Sequence, residues 1–244
     1  MKQQPSPQRP GFFTPRTKMA DLVAANYTLI LVVPRFGIPL GFGEKSVQEV
    51  CRQCNVSVDL FLIVCNLYTF DDCLPDAHTL KTIDLSGLIP YLEASHHYYL
   101  NERLPHIERH LSSIADHAGQ QYGTALHNFI VNYKKDVADH FAREEQEVFP
   151  YILRLQEGEA PKEIPTSSFI ESHSELVDNL TDLPKILYKY LPAEGMVEEL
   201  SELLFTILQL SADLEKHTLI EEKILLPYVA HLMSKASRHE RRQH

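Results

Sequence analysis

A chain of 244 residues, 44% hydrophobic and 23% charged, has the composition of an ordinary globular protein. Its formal net charge of -10 works against a general binder of nucleic acid or of an anionic membrane, because phosphates need a basic surface. No run of about 18 apolar residues suggests a membrane span, no secretion signal is recognisable, and four irregularly spaced cysteines make no disulfide framework, which together suit a reducing cytoplasm.

In chain order, residues 1–18 are rich in Pro and Gln and are expected to be a disordered lead-in. Residues 19–70 read as a small helical domain with a turn near Pro34-Arg-Phe-Gly37. Ser46 with Glu49 three residues on has the form of a capping box, and Ser57 precedes an apolar run as a second N-cap. Cys51-Arg-Gln-Cys54 is a C-x2-C without a second pair, and it reads as ordinary helical cysteine rather than a zinc or redox site. Residues 71–86, with Pro75, are expected to be a linker. Four long amphipathic segments follow, at roughly 87–117, 122–156, 166–190 and 196–234, joined by short loops. That pattern specifies an all-α antiparallel four-helix bundle over 87–234. Residues 235–244 remain as a basic tail.

The chemistry lies in an internal repeat. His140-Phe-Ala-Arg-Glu144-Glu-Gln-Glu-Val-Phe-Pro150 returns as His217-Thr-Leu-Ile-Glu221-Glu-Lys-Ile-Leu-Leu-Pro227, an H-x3-E-E-x4-P pattern. Residues four apart on a helix share a face, so each copy presents an imidazole and a carboxylate at one point. The closing Pro is expected to end or kink its helix. In the last segment Leu203, Leu204, Ile207, Leu210, Leu214, His217 and Glu221 step by three or four, which puts the pair on the core stripe. Two His and two Glu converging inside a bundle are costly to desolvate unless a cation holds them.

The other two helices are expected to add nitrogens. His173 is the only His in the third segment. The first segment offers His96, His97, His106, His110 and His117; the sequence alone is ambiguous, but His106 and His110 fall away from the apolar stripe and His97 is the better candidate. His97 forms one helical series with Leu100, Leu104, Ile107, Leu111 and Ile114, while His117, at the segment's end, falls off that stripe. Tyr98, Tyr133 and Phe141 lie near these positions in sequence, as core filler or, for a Tyr, as a proton donor.

With these residues laid out, the chain resembles the hemerythrin-like di-iron proteins, and among them the RIC (repair of iron centres) family of iron-sulfur cluster repair. The resemblance rests on both copies of the repeat, on Glu171-Ser-His173 and on His97-x6-Leu-Pro105. It implies a non-haem di-iron centre, oxo- or hydroxo-bridged. By motif position the resemblance makes His97, His140, His173 and His217 ligands and Glu144 and Glu221 bridges, with His117 near the place of a further family His. Phe36-Gly-Ile matches the turn before the family's Cys-Cys-Gly-Gly, but that motif here reads Leu40-Gly-Phe-Gly43, so both cysteines are absent.

The function this implies is protection or repair of iron-sulfur clusters under nitrosative and oxidative stress. O2 or NO would be the small-molecule ligands and damaged iron-sulfur proteins the partners. The alternatives are a hemerythrin-like O2 or NO sensor or store without turnover, and a helical bundle that holds no metal.

Overall fold

The computed structural model describes residues 12–70, 73–76, 78–117, 119–159, 173–191 and 195–243. The chain divides into two compact units, Met1–Tyr91 and Leu92–His244. Every regular element among the described residues is helical.

The first unit contains α1 (Met19–Ala25), α2 (Leu29–Arg35), α3 (Val47–Gln53), α4 (Val58–Thr69) and α5 (Thr79–Thr82). Both expected caps form. The Ser46 hydroxyl accepts from the Glu49 amide while the Glu49 carboxylate accepts from the Ser46 amide at 2.8 Å, and the Ser57 hydroxyl accepts from the Leu60 amide at 3.3 Å. The core is built from Met19, Leu22, Leu29, Val32, Val47, Leu60, Phe61 and Val64. The stretch expected to be disordered is placed from Phe12 onward, because Asn66 clamps the backbone of Phe13: it accepts from the amide at 2.7 Å and donates to the carbonyl at 3.2 Å. The earlier residues of that stretch lie outside the described ones. Part of the expected linker is likewise helical, as α5. Burial, reinforced by the charge of Cys54, pushes the Cys51 thiol up to about 12, so Cys51 offers no ready thiolate at neutral pH.

The second unit is the four-helix bundle. Its first helix is α6 (Leu88–Tyr98), whose residues from Leu92 on belong to this unit, continuing through a π-helical turn at Tyr99–Arg103 into α7 (Leu104–His117). The second joins α8 (Gln120–Arg143) through a π turn at Glu144–Val148 to α9 (Phe149–Gln156). The third is α10 (His173–Tyr190). The fourth joins α11 (Val197–Ile220) through a π turn at Glu221–Leu225 to α12 (Leu226–Gln243). The prolines therefore do not end these helices. A proline ring clashes with the carbonyl four residues back, and each of Pro105, Pro150 and Pro227 follows a turn widened by one residue, where that contact is relieved. The fourth helix also runs to Gln243, through the residues read as a tail, since 234–243 contain neither Gly nor Pro to stop it.

Between the helices Leu104, Ile107, Leu111 and Ile114 meet Ile130, Val137 and Phe141 of α8, Leu180, Leu183 and Leu187 of α10, and Leu203, Ile207 and Leu210 of α11. Thr181 and Ser211 share a hydrogen bond of 2.9 Å between the last two helices. α7 and α8 approach closely at Gly123, where an added Cβ would stand 2.6 Å from the Ala115 carbonyl oxygen. Gly to Ala inside a helix ordinarily gains about 1 kcal/mol from propensity. Here the obstacle is backbone and cannot swing aside, so Gly123→Ala is expected to destabilise the full chain, by about 1–3 kcal/mol, as read by urea unfolding.

Candidate metal centre

Four buried side chains from three of the bundle helices converge: His96 from α6, Glu144 at the end of α8, and His217 and Glu221 at the end of α11. Each offers one donor atom, and the four atoms lie within 4.8 Å of one another. His96 and Glu221 are 0% exposed, Glu144 and His217 2%. His96 Nε2 lies 3.2 Å from His217 Nε2 and 3.3 Å from Glu144 Oε2, and His217 Nε2 lies 3.2 Å from Glu221 Oε1. His140, 3% exposed, adds its Nε2 at 3.1 Å from Glu144 Oε1. The i, i+4 spacing in both copies of the repeat thus pairs imidazole with carboxylate as the helix requires.

Three of these residues sit where the helix is widened. Glu144 and Glu221 are the first residues of their π turns, and the turn at Tyr99–Arg103 begins three residues after His96. Such turns are rare and frequent at functional sites, because the extra residue re-aims the side chains beside it.

The donor set fits a cation better than a proton network. Two imidazole nitrogens face each other at 3.2 Å with carboxylate oxygens at about the same distance from each. A neutral imidazole carries one N–H, so a single hydrogen on His96 Nε2 cannot serve both His217 and Glu144. A metal ion accepts all of these lone pairs at once, and nitrogen with carboxylate oxygen suits iron, manganese or zinc.

Electrostatics point the same way. Burial alone would lower the pKa of His96, but the Glu144 hydrogen bond and the charges of Glu144 and Glu221, with help from Glu145, outweigh it and leave the imidazole above its ordinary value. The pocket attracts positive charge even into a buried ring.

His96 is also held from behind. Its Nδ1 meets Glu145 Oε1 at 2.9 Å, and its ring stacks on Phe141, with centroids 3.9 Å apart and planes at 7°, and on Phe149 at 5.6 Å. A carboxylate on the outer nitrogen fixes the tautomer and leaves Nε2 free of hydrogen to face the pocket. Among the described residues the second Glu of the repeat has this role in the first copy. Glu222 instead lies 3.7 Å from Lys223. Glu145→Ala is expected to weaken metal binding about 10- to 100-fold, with Glu222→Ala nearly neutral, as measured by competition against a chelator.

The structure does not bring His97 and His117 to this group. His97 is exposed and its Nδ1 bonds Asn101 at 3.0 Å; its neighbour His96 holds the interior place. His117 is exposed at the end of α7, with Nδ1 on the Ser113 carbonyl at 2.8 Å. It lies 21 residues beyond His96 along one continuous helix, about 30 Å at 1.5 Å per residue, beyond the reach of any ion that His96 holds. His173 is the first residue of α10, and its side chain lies outside the described residues.

Of the aromatic residues near these positions, Phe141 lines the pocket, whereas Tyr133 donates to the Leu176 carbonyl at 3.2 Å, away from it. Tyr99 comes nearer than Tyr98, with its ring 5.6 Å from that of His217. Sequence reasoning offered His96 but preferred His97, and it missed Glu145 and Tyr99. The duplicated Glu-Glu was the signal for Glu145, and the Leu104-Pro105 step was the signal for a helix whose register changes.

Comparison with known proteins agrees with this geometry. The family described as the Hemerythrin HHE cation binding domain matches residues 89–204, a span that holds His96, His140, Glu144 and His173 but ends before His217 and Glu221. The chain is also similar to the "Iron-sulfur cluster repair protein ScdA" of Staphylococcus haemolyticus (strain JCSC1435), 19% identical over 187 residues, which cover 75% of this chain and 83% of that protein.

Proposed function

From the match of residues 89–204 to the Hemerythrin HHE cation binding domain, we propose that the chain is a non-haem di-iron protein that protects or repairs iron-sulfur clusters under nitrosative and oxidative stress. His96, His140, Glu144, His217 and Glu221 would hold the irons, with His173 as a further nitrogen from the third helix. The observation that carries this reading is the buried convergence of His96, Glu144, His217 and Glu221. The repair assignment is supported by the likeness to ScdA, whose name states that activity. Two irons bound here would supply one-electron steps and coordination positions open to O2 or NO.

The chain's own residues do the rest. Glu145 orients His96, Phe141 and Phe149 wall the ring from water, and the two Glu supply the negative charge that holds cations in a buried place. No described helix is long and apolar enough to cross a membrane, which is compatible with the cytoplasmic setting we assign.

A second reading, a diatomic-binding sensor or store without turnover, is favoured by one observation. The Leu40-Gly-Phe-Gly43 loop carries no thiol where the repair family has two, although Gly41 and Gly43 keep positive φ angles of 93° and 58°. Iron content per chain and reaction of the reduced protein with NO test the centre. Restoration of a damaged cluster enzyme then separates the readings. Two irons and a nitrosyl spectrum with recovery of the enzyme support repair, the same without recovery supports sensing, and an iron-free protein rejects both.

The His96 shift gives a pH dependence. A cation needs the neutral imidazole, and a raised pKa keeps the proton in place to a higher pH than usual. The metal-free fold gains from protonated His96 below its ordinary pKa and loses that gain as pH rises through the raised one. Loaded protein behaves oppositely. The rise in Tm on adding metal is expected to be large at pH 8 and to shrink already above the ordinary His range as pH falls towards 6.

A further inference from the structure

A second group of metal-ligating side chains lies on the same bundle, outside the centre described above. His106 and His110 of α7 and Glu202 of α11 each offer one donor atom, and the three atoms lie within 4.8 Å of one another. We propose that His106, His110 and Glu202 form a second, mononuclear site for a borderline first-row divalent cation of the zinc class, open to solvent on its remaining positions.

The helix prepares this site. His106 and His110 are four apart on one face, with ring centroids 4.4 Å apart and planes tilted by 54°. Both are half-buried, so their rotamers are restricted before any ion arrives, while Glu202 is exposed and can swing in from the facing helix. A zinc-class ion bonds nitrogen and carboxylate oxygen at about 2.0–2.2 Å and needs donors roughly 3–4 Å apart, so the three atoms need only a small rotation to enclose it. Two imidazoles and one carboxylate, with water completing the shell, make a donor set that zinc accepts without demanding a fourth protein ligand.

Burial, with the nearby charges of His110, Arg103 and Arg109, lowers the His106 pKa from the ordinary imidazole value against the opposing charge of Glu202. Arg103 is occupied elsewhere: its guanidinium bonds Gln209 and lies 5.8 Å over the Tyr98 ring.

Position gives the site a consequence. It joins α7 to α11, and the same two bundle helices carry His96 and His217. His106 stands ten residues from His96, about 15 Å along the helix, so the two sites do not share an ion. A cation here ties together the helices that shape the interior centre from a place that solvent reaches. The site does not depend on the di-iron reading, because it uses none of those ligands.

The test is zinc binding to the full chain by equilibrium dialysis at micromolar zinc, in the wild type and in His106→Gln/His110→Gln. The wild type is expected to hold one equivalent more than the variant, and Glu202→Gln to weaken that equivalent at least tenfold. Because all three side chains are partly or fully exposed, the variants keep the far-UV dichroism of the parent. Modification of His with diethyl pyrocarbonate, mapped by mass spectrometry, supplies an independent readout: zinc protects His106 and His110 in the wild type and not in Glu202→Gln. Equal stoichiometry in wild type and double variant, the absence of protection, or occupancy only at millimolar zinc overturns the proposal. A protein that fails to load iron in the interior yet passes this test would overturn the di-iron reading alone.

Discussion

Glu144→Gln/Glu221→Gln is expected to abolish metal binding at the interior centre while leaving the metal-free fold as stable as the parent or more so. Both carboxylates are essentially inaccessible, 2% and 0% exposed, and each lies within 3.3 Å of an imidazole nitrogen. In the metal-free chain their burial costs desolvation that neighbouring His repays in part, and a neutral amide of the same shape avoids most of that cost. In the loaded chain the carboxylates provide the negative charge that an amide lacks. Metal at a thousand times its Kd contributes about 4 kcal/mol to the parent. At about 2–4 °C per kcal/mol for a chain of this size, that is a rise in Tm on the order of 10 °C, absent from the variant. The two signs separate a metal centre from a structural polar network. If the residues were merely such a network, the metal-free variant would lose about 3–5 kcal/mol, as buried pairs do when broken, and metal would change the melting of neither protein.

Much of this arrangement was written in the sequence. The 3.6-residue period marked the four bundle helices, and the H-x3-E-E-x4-P repeat marked His140, Glu144, His217 and Glu221 as residues that share helix faces. What the period could not carry was a change of register. The series Leu104, Ile107, Leu111, Ile114 is buried as expected, and stepping back from it by four and three leads to Leu100 and His97. The π turn at Tyr99–Arg103 adds one residue to the helix, which rotates everything before it by about 100° relative to everything after it. The buried residues on the far side are therefore Tyr99 and His96, each one position earlier than a uniform helix gives. Pro105 was the available sign, since a proline inside a helix must be accommodated somewhere in the preceding turn. Long-range partners were not legible in the same way. Nothing local to Glu145 says that His96, 49 residues away, will come to rest on it.

That one-residue shift leads to the sharpest contrast expected among single substitutions. His96→Ala removes a fully buried ring that touches Glu144, Glu145, Phe141 and His217, whereas His97→Ala removes an exposed ring whose hydrogen bond is to the adjacent Asn101. For His97→Ala the change in stability is expected to stay within about 0.5 kcal/mol, as for surface positions generally, with metal content unchanged. For His96→Ala the bundle loses a stacked core residue and the centre loses its nitrogen from the first helix, and affinity is expected to fall by more than the 10- to 100-fold that follows loss of an outer-shell partner. His96→Gln keeps part of the volume and a polar group, and should recover folding without recovering affinity. Metal content after dialysis against a weak chelator, measured beside urea unfolding of the metal-free proteins, distinguishes the two positions. Should His97→Ala shed the metal while His96→Ala retains it, the helix is uniform through Tyr99–Arg103 and the centre has been assembled on the wrong face.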